Sequence, residues 1–197
     1  MKILCVADAV VKDLLEPIGG SPAISDIELV ISCGDLPPEY LTALRNRYDV
    51  PLYYVLGNHD IRYASSPPRR CTHIDRKIVH MGTTKIIGFS GSRWYNGNIN
   101  QYTEEQMNGF IGRLRFSLWR AKGVDLVVSH APPRYIHDAE DLCHRGFRSF
   151  RRFIDKYRPG HFLHGHIHAH FTQDKERITR IDSTTVINCY GYHVLEI

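Results

Sequence analysis

The chain has 197 residues, 43% hydrophobic and 23% charged, enough apolar material for one globular domain over residues 1–197 with a substantial core. A net charge of +4, from 25 basic and 21 acidic residues, suits an anionic substrate and falls far short of a nucleic-acid-binding tail. The five cysteines are odd in number and never in a Cys-x-x-Cys spacing, which excludes a disulfide framework and a zinc ribbon and points to a reducing cytoplasm; the apolar start before Asp8 is too short for a signal peptide or a membrane span.

In chain order, Ile3 to Ala7 reads as a buried strand whose end presents Asp8, either as a ligand or as the cap of the next turn. Pro17, Gly19, Gly20 and Pro22 break any helix over residues 9–25, leaving a loop and a short helix near Pro22 to Ser25. Leu29 to Cys33 repeats the first design and ends in Gly34-Asp35. Pro37-Pro38 then starts a helix through about Arg47, with Tyr40, Leu41, Leu44 and Tyr48 as its buried stripe. Leu52 to Leu56 is a third such strand, ending in Gly57-Asn58-His59-Asp60. Asn58 offers a neutral oxygen, His59 an imidazole and Asp60 a carboxylate able to orient it. Three successive strands with partly helical crossovers bring Asp8, Asp35 and Asn58 to one edge of an α/β sheet.

Residues 61–77 read as loop, and Ile78–Met81 with Lys85–Phe89 as a hairpin about Gly82-Thr83. The stretch from Gly91 to Gln101 carries Arg93, Trp94 and Tyr95; it is either a binding lip or an ordinary connection. Thr103 to Gln106 is a capping box opening a helix through about Ala121, with Met107, Phe110, Ile111, Leu114 and Leu118 as a core stripe. Val124 to Ser129 is a strand presenting His130 before Ala-Pro-Pro. The helix from Phe147 to Tyr157 bears an apolar stripe and an arginine-rich face, open to solvent or to phosphates, with Arg145 by its start as the preferred anion contact. In the tract His161 to His170, extended backbone would put His166 and His168 on one side about 7 Å apart, each able to approach one of two metals about 4 Å apart. Arg177–Asp182, Thr185–Cys189 and Tyr192–Ile197 read as closing strands.

Asp8, Gly34-Asp35, Gly57-Asn58-His59-Asp60, His130 before Ala-Pro-Pro and Gly165-His166-x-His168 occur in this order over most of the chain. In these blocks the sequence resembles the calcineurin-like metallophosphoesterases. The resemblance implies an α/β fold, a four-layer α-β-β-α sandwich of two mixed sheets flanked by helices, with two divalent metals at the strand ends. By matching position, Asp35 would bridge both metals; Asn58, His130 and His166 would complete the second site; Asp8 and His168 would belong to the first. His59 would protonate the leaving oxygen, with Asp60 orienting it, and a metal-bound hydroxide would attack phosphorus. The mixed nitrogen and oxygen ligands suit manganese, iron or zinc.

One block departs from the family pattern: Val10 stands where a metal-binding histidine is usual. The first metal is therefore expected to be weak and exchangeable, or to be a hydrated ion such as manganese or magnesium. Two functions follow: a phosphoesterase acting on a small phosphorylated substrate, phosphodiester favoured, or a non-catalytic phosphate or nucleotide sensor. Arg93 and Arg145 are the candidate substrate contacts. Nucleic acid is a possible partner but not the favoured one, because one basic helix and one aromatic loop do not make the long track a nuclease needs, and no membrane partner is expected.

Overall fold

The computed structural model describes residues 1–16 and 24–197. Its strands and helices in chain order are β1 (Lys2–Ala7), β2 (Leu29–Ser32), α1 (Pro38–Tyr48), β3 (Leu52–Tyr54), β4 (Thr72–His73), β5 (Ile78–Met81), β6 (Thr84–Phe89), β7 (Ser92–Arg93) and β8 (Gln101–Tyr102). They continue as α2 (Glu104–Arg113), α3 (Arg115–Arg120), β9 (Leu126–Ser129), α4 (Arg148–Tyr157), β10 (His161–His164), β11 (Ile178–Ile181), β12 (Thr184–Asn188) and β13 (Gly191–Glu196).

Two mixed sheets form. In the first, ordered β13-β1-β2-β3-β4, only the β13–β1 pair is antiparallel. In the second, ordered β11-β12-β10-β9-β6-β5, the four inner strands are parallel and both edges antiparallel. The unbroken apolar run of β1 follows from burial on both faces: Ile3, Cys5 and Ala7 point into the core between the sheets, Leu4 and Val6 towards α1. Helix α1 covers the outer face of the first sheet through Tyr40, Leu41 and Leu44. Phe147, Phe150, Phe153 and Ile154 cover the second, packing on Phe89, Val127 and Phe162. This is the expected four-layer α-β-β-α sandwich.

Several local expectations are corrected. The long helix through Ala121 is two helices broken at Leu114, whose ψ of −4° leaves the helical range. Gly109 and Gly112 weaken the turns before the break. Of its expected core stripe, Met107 and Leu118 are fully buried and Phe110, Ile111 and Leu114 only partly so. Residues 61–77 are not all loop, since β4 adds to β3 in parallel. Of the short helix expected near Pro22 to Ser25, Pro22 and Ala23 lie outside the described residues, while Ile24 and Ser25 are not helical.

Candidate metal centre

Each strand-end expectation places its side chain at the same rim. Asp8 follows β1, Asp35 follows β2, the loop Gly57 to Asp60 follows β3, His130 follows β9 and His166 follows β10. Parallel strands carry all these C-terminal ends to one edge, which is where open α/β sheets build their sites.

The tightest group is Asp35, His130 and His166, whose ligand atoms all lie within 4.8 Å of one another. His130 is fully buried and its Nδ1–H donates to the carbonyl of Cys33 at 2.8 Å. That bond aims Nε2 at Asp35 Oδ2, 3.3 Å away, and at Asn58 Oδ1, 3.1 Å away. His166 Nε2–H donates to the Cys143 carbonyl at 2.8 Å, which leaves the lone pair on Nδ1. Backbone carbonyls thus hold both rings in a fixed tautomer. The donor set, one carboxylate, one amide oxygen and two oriented imidazoles, fits a divalent transition cation.

The electrostatics agree. Burial opposes ionisation of Asp35, but the adjacent His130 ring outweighs it and brings the carboxyl down to about 2. Burial likewise opposes charge on His130, yet the Asp35 carboxylate lifts it to about 9. A proton on His130 Nε2 and a cation would compete for the same place beside Asp35, which links ion binding to proton release. Burial and then the neighbouring His130 push His166 down to about 3, so this ring is a neutral lone-pair donor.

The first site is thinner. The Asp8 side chain is fully buried and that of His168 exposed, with His168 Nε2 3.5 Å from Asp8 Oδ1. Both Asp8 oxygens accept from the His166 backbone N–H, at 3.1 and 2.9 Å. Neither residue joins the tight group among the described residues. The extended backbone expected across His166 and His168 is corrected: β10 ends at His164 and His166 has φ 67°. Gly165 permits the turn, because a Cβ there would come within 2.5 Å of Asp8 Oδ2.

The loop after β3 divides its work. His59 is exposed, and its backbone N–H donates to Asp35 Oδ1 at 2.8 Å, which ties the loop after β3 to that carboxylate. Asp60 does not bond the His59 ring, as the sequence suggested. Its Oδ2 accepts from the N–H groups of Gly57, at 2.7 Å, and Asp35, at 2.9 Å. Burial raises this carboxyl to about 6.

The two arginines expected to meet substrate line a cavity of about 280 Å³ together with Arg134 and Arg148. Arg93 is paired with Glu104 at 2.8 Å, and Arg145 donates to the Glu140 carbonyl at 2.7 Å. The start of α4, where Arg145 was expected to help bind an anion, already holds one: Glu104 accepts from the N–H groups of Arg148 and Ser149, at 3.0 and 2.5 Å. Sequence reading missed three contributors. Tyr95 OH accepts from Asn58 Nδ2 at 3.1 Å, Asn100 Nδ2 donates to the Gly57 carbonyl at 3.0 Å, and the Cys143 carbonyl holds His166. Tyr95 and Asn100 belong to the loop from Gly91 to Gln101, so its length and its aromatic centre were the available signal. A backbone carbonyl leaves none.

The sequence matches the calcineurin-like phosphoesterase family over residues 1–170. No curated protein sequence matches the chain. Among solved structures, a Thermus thermophilus protein aligns at TM-score 0.63 and 13% identity, covering 96% of this chain and 89% of its own. A dimetal phosphatase from Danio rerio aligns at 0.58 and 12%, covering 98% and 91%. GAP50, described as the anchor in the inner membrane complex of Plasmodium, aligns at 0.51 and 12%, covering 96% and 71%.

Proposed function

Because the chain belongs to the calcineurin-like phosphoesterase family, we propose that it is a metal-dependent phosphoesterase that hydrolyses a small phosphodiester. The observation that carries this reading is the convergence of Asp35, His130 and His166 within 4.8 Å, with the exposed His59 tied through its backbone to the same Asp35. In this reading Asp35, Asn58, His130 and His166 hold one cation, and Asp8, Asp35 and His168 a second, more loosely. Manganese, iron or zinc suits the donors. Bound there, such cations supply Lewis acidity that lowers the pKa of a water and neutralises phosphoryl charge.

The remaining steps belong to the protein. Cys33 and Cys143 carbonyls keep the two ligand imidazoles in register, and Asp60 fixes the backbone beneath Asp35. His59 gives its proton to the departing alkoxide, a task for which an imidazole is suited near neutral pH. Arg93 and Arg145, which line the arginine cavity, would leave their present partners to meet the second substituent of the diester. The free cysteines suit a cytoplasmic setting, and no described helix is long and apolar enough to cross a membrane.

Hydrolysis of a small phosphodiester with an unactivated alcohol leaving group, with added manganese, tests the proposal. The wild type should turn over and His59→Ala should lose on the order of a hundredfold. Equal rates in the two would overturn it. A second reading, a non-catalytic phosphate sensor with one firm metal, is favoured by Val10, which supplies no ligand to the first site. It expects one tightly held metal per chain and no turnover with any cation.

A further inference from the structure

A second concavity shares no residue with the candidate metal centre. It holds about 770 Å³ at the β5 edge of the second sheet, between that strand and the bend joining α2 to α3. Arg76, Lys77, Lys85 and Arg120 line it, and no carboxylate does among the described residues. Lys77 and Lys85 donate to neutral carbonyls, of His73 at 3.3 Å and Ala121 at 3.0 Å, and the Arg120 guanidinium has no hydrogen-bond partner among the described residues. Only Arg76 has an ionic partner there, Asp75, which also accepts from the Ser90 N–H.

Beside this basic groove stand two aromatic rings that the core does not use. Phe116 and Trp119 are 69% and 75% exposed, with centroids 5.8 Å apart and planes 34° from parallel. The break at Leu114 turns them outward, and the exposed Arg113, Arg115 and Lys122 flank them. A water-exposed aromatic pair next to unneutralised cations has the makings of a stacking platform beside a phosphate track.

We propose that this groove binds single-stranded nucleic acid, with phosphates along Arg76, Lys77, Lys85 and Arg120 and bases stacked on Phe116 and Trp119. An anionic membrane is the poorer fit, because the cations line a concavity where a lipid surface needs them level with projecting apolar side chains. A duplex is poorer too, since its bases present no free faces to the rings. The site stands apart from the phosphoesterase reading and does not depend on it.

The experiment titrates the full-length protein against fluorescent oligo(U), oligo(dT), a duplex of equal length, and phosphatidylserine-containing vesicles. Both single strands should bind more tightly than the duplex or the vesicles. With Arg76 already paired to Asp75, the three remaining cations should give a logarithmic salt slope of about −2, so affinity should fall about twentyfold between 50 and 200 mM salt. In a Trp94→Phe background the remaining Trp119 fluorescence should be quenched on binding. Trp119→Ala should weaken binding about tenfold or more, and Lys77→Glu with Arg120→Glu should abolish it, while small-diester hydrolysis and the melting temperature stay unchanged. Absence of single-strand binding, binding indifferent to these substitutions, or a preference for duplex or vesicles would each overturn the proposal.

Discussion

Asp8, Asp35 and His166 share a backbone property that side-chain chemistry alone does not require: their φ angles are 63°, 55° and 67°. The left-handed region costs a residue with a Cβ about 1–2 kcal/mol, and such strain persists where surrounding bonds over-determine it. At Asp35 the restraint comes from Asp60, which takes the N–H of Asp35 itself and that of Gly57. Asp60→Ala leaves both donors without their acceptor and should cost about 2 kcal/mol of stability, with metal content falling as well. Thermal denaturation and metal analysis check this. His59→Ala should keep stability and metal and lose turnover alone, so matching behaviour of the two variants would return Asp60 to an orienting role. Gly57→Ala should also empty the centre, because a Cβ there would lie 2.0 Å from Asp35 Oδ1. The candidate ligands Asp8, Asp35 and His130 stood out in the sequence because each lies at the end of an apolar run, and the family resemblance supplied their roles. The brace was not legible, because Asp60 reaches an N–H 25 positions away that only the folded chain brings near.

Elements show the same division between what periodicity reveals and what packing decides. The capping box at Thr103 is present as expected, with Gln106 N–H bonded to Thr103 Oγ1 at 3.2 Å and the Gln106 side chain returning to Thr103 N–H at 2.8 Å. Unexpected is the residue inside it. Glu104 opens α2, yet its carboxylate caps the start of α4 and pairs with Arg93. One side chain therefore fixes two helices and one wall of the arginine cavity. Glu104→Ala should cost about 2 kcal/mol, more than the roughly 1 kcal/mol of Thr103→Ala, and denaturant titration of both variants compares them. Equal losses would show that the α4 cap contributes nothing. The sequence could not expose this, since a glutamate in a first helical turn already has a local explanation.

At the scale of the whole molecule, five histidines outside the ligand set, His73, His137, His161, His164 and His193, are held towards the neutral form chiefly by burial. Their folded-state pKa values are lowered, so the unfolded chain takes up more protons as pH falls below about 6.5 and stability drops with it. Each contributes up to about 1.4 kcal/mol per pH unit. The metal-free protein should melt at a progressively lower temperature between pH 7.5 and 5.5, and a flat profile would contradict this. His130 works in the opposite sense: raised to about 9, it stabilises below its unfolded value and loses that contribution as pH rises through 9. Strands buried on both faces were legible because runs such as Leu29 to Cys33 are apolar at nearly every position, whereas their division into two sheets was implied only by the family resemblance.

Asp35 hangs from the first sheet, whereas His130 and His166 hang from the second. Any ion they grip spans the seam between the two halves of the molecule and rivets one to the other. Chelation should then loosen the entire sandwich, not the rim alone: at a hundredfold excess of ion over its dissociation constant the rivet is worth about 2.7 kcal/mol, visible as an ion-dependent melting temperature.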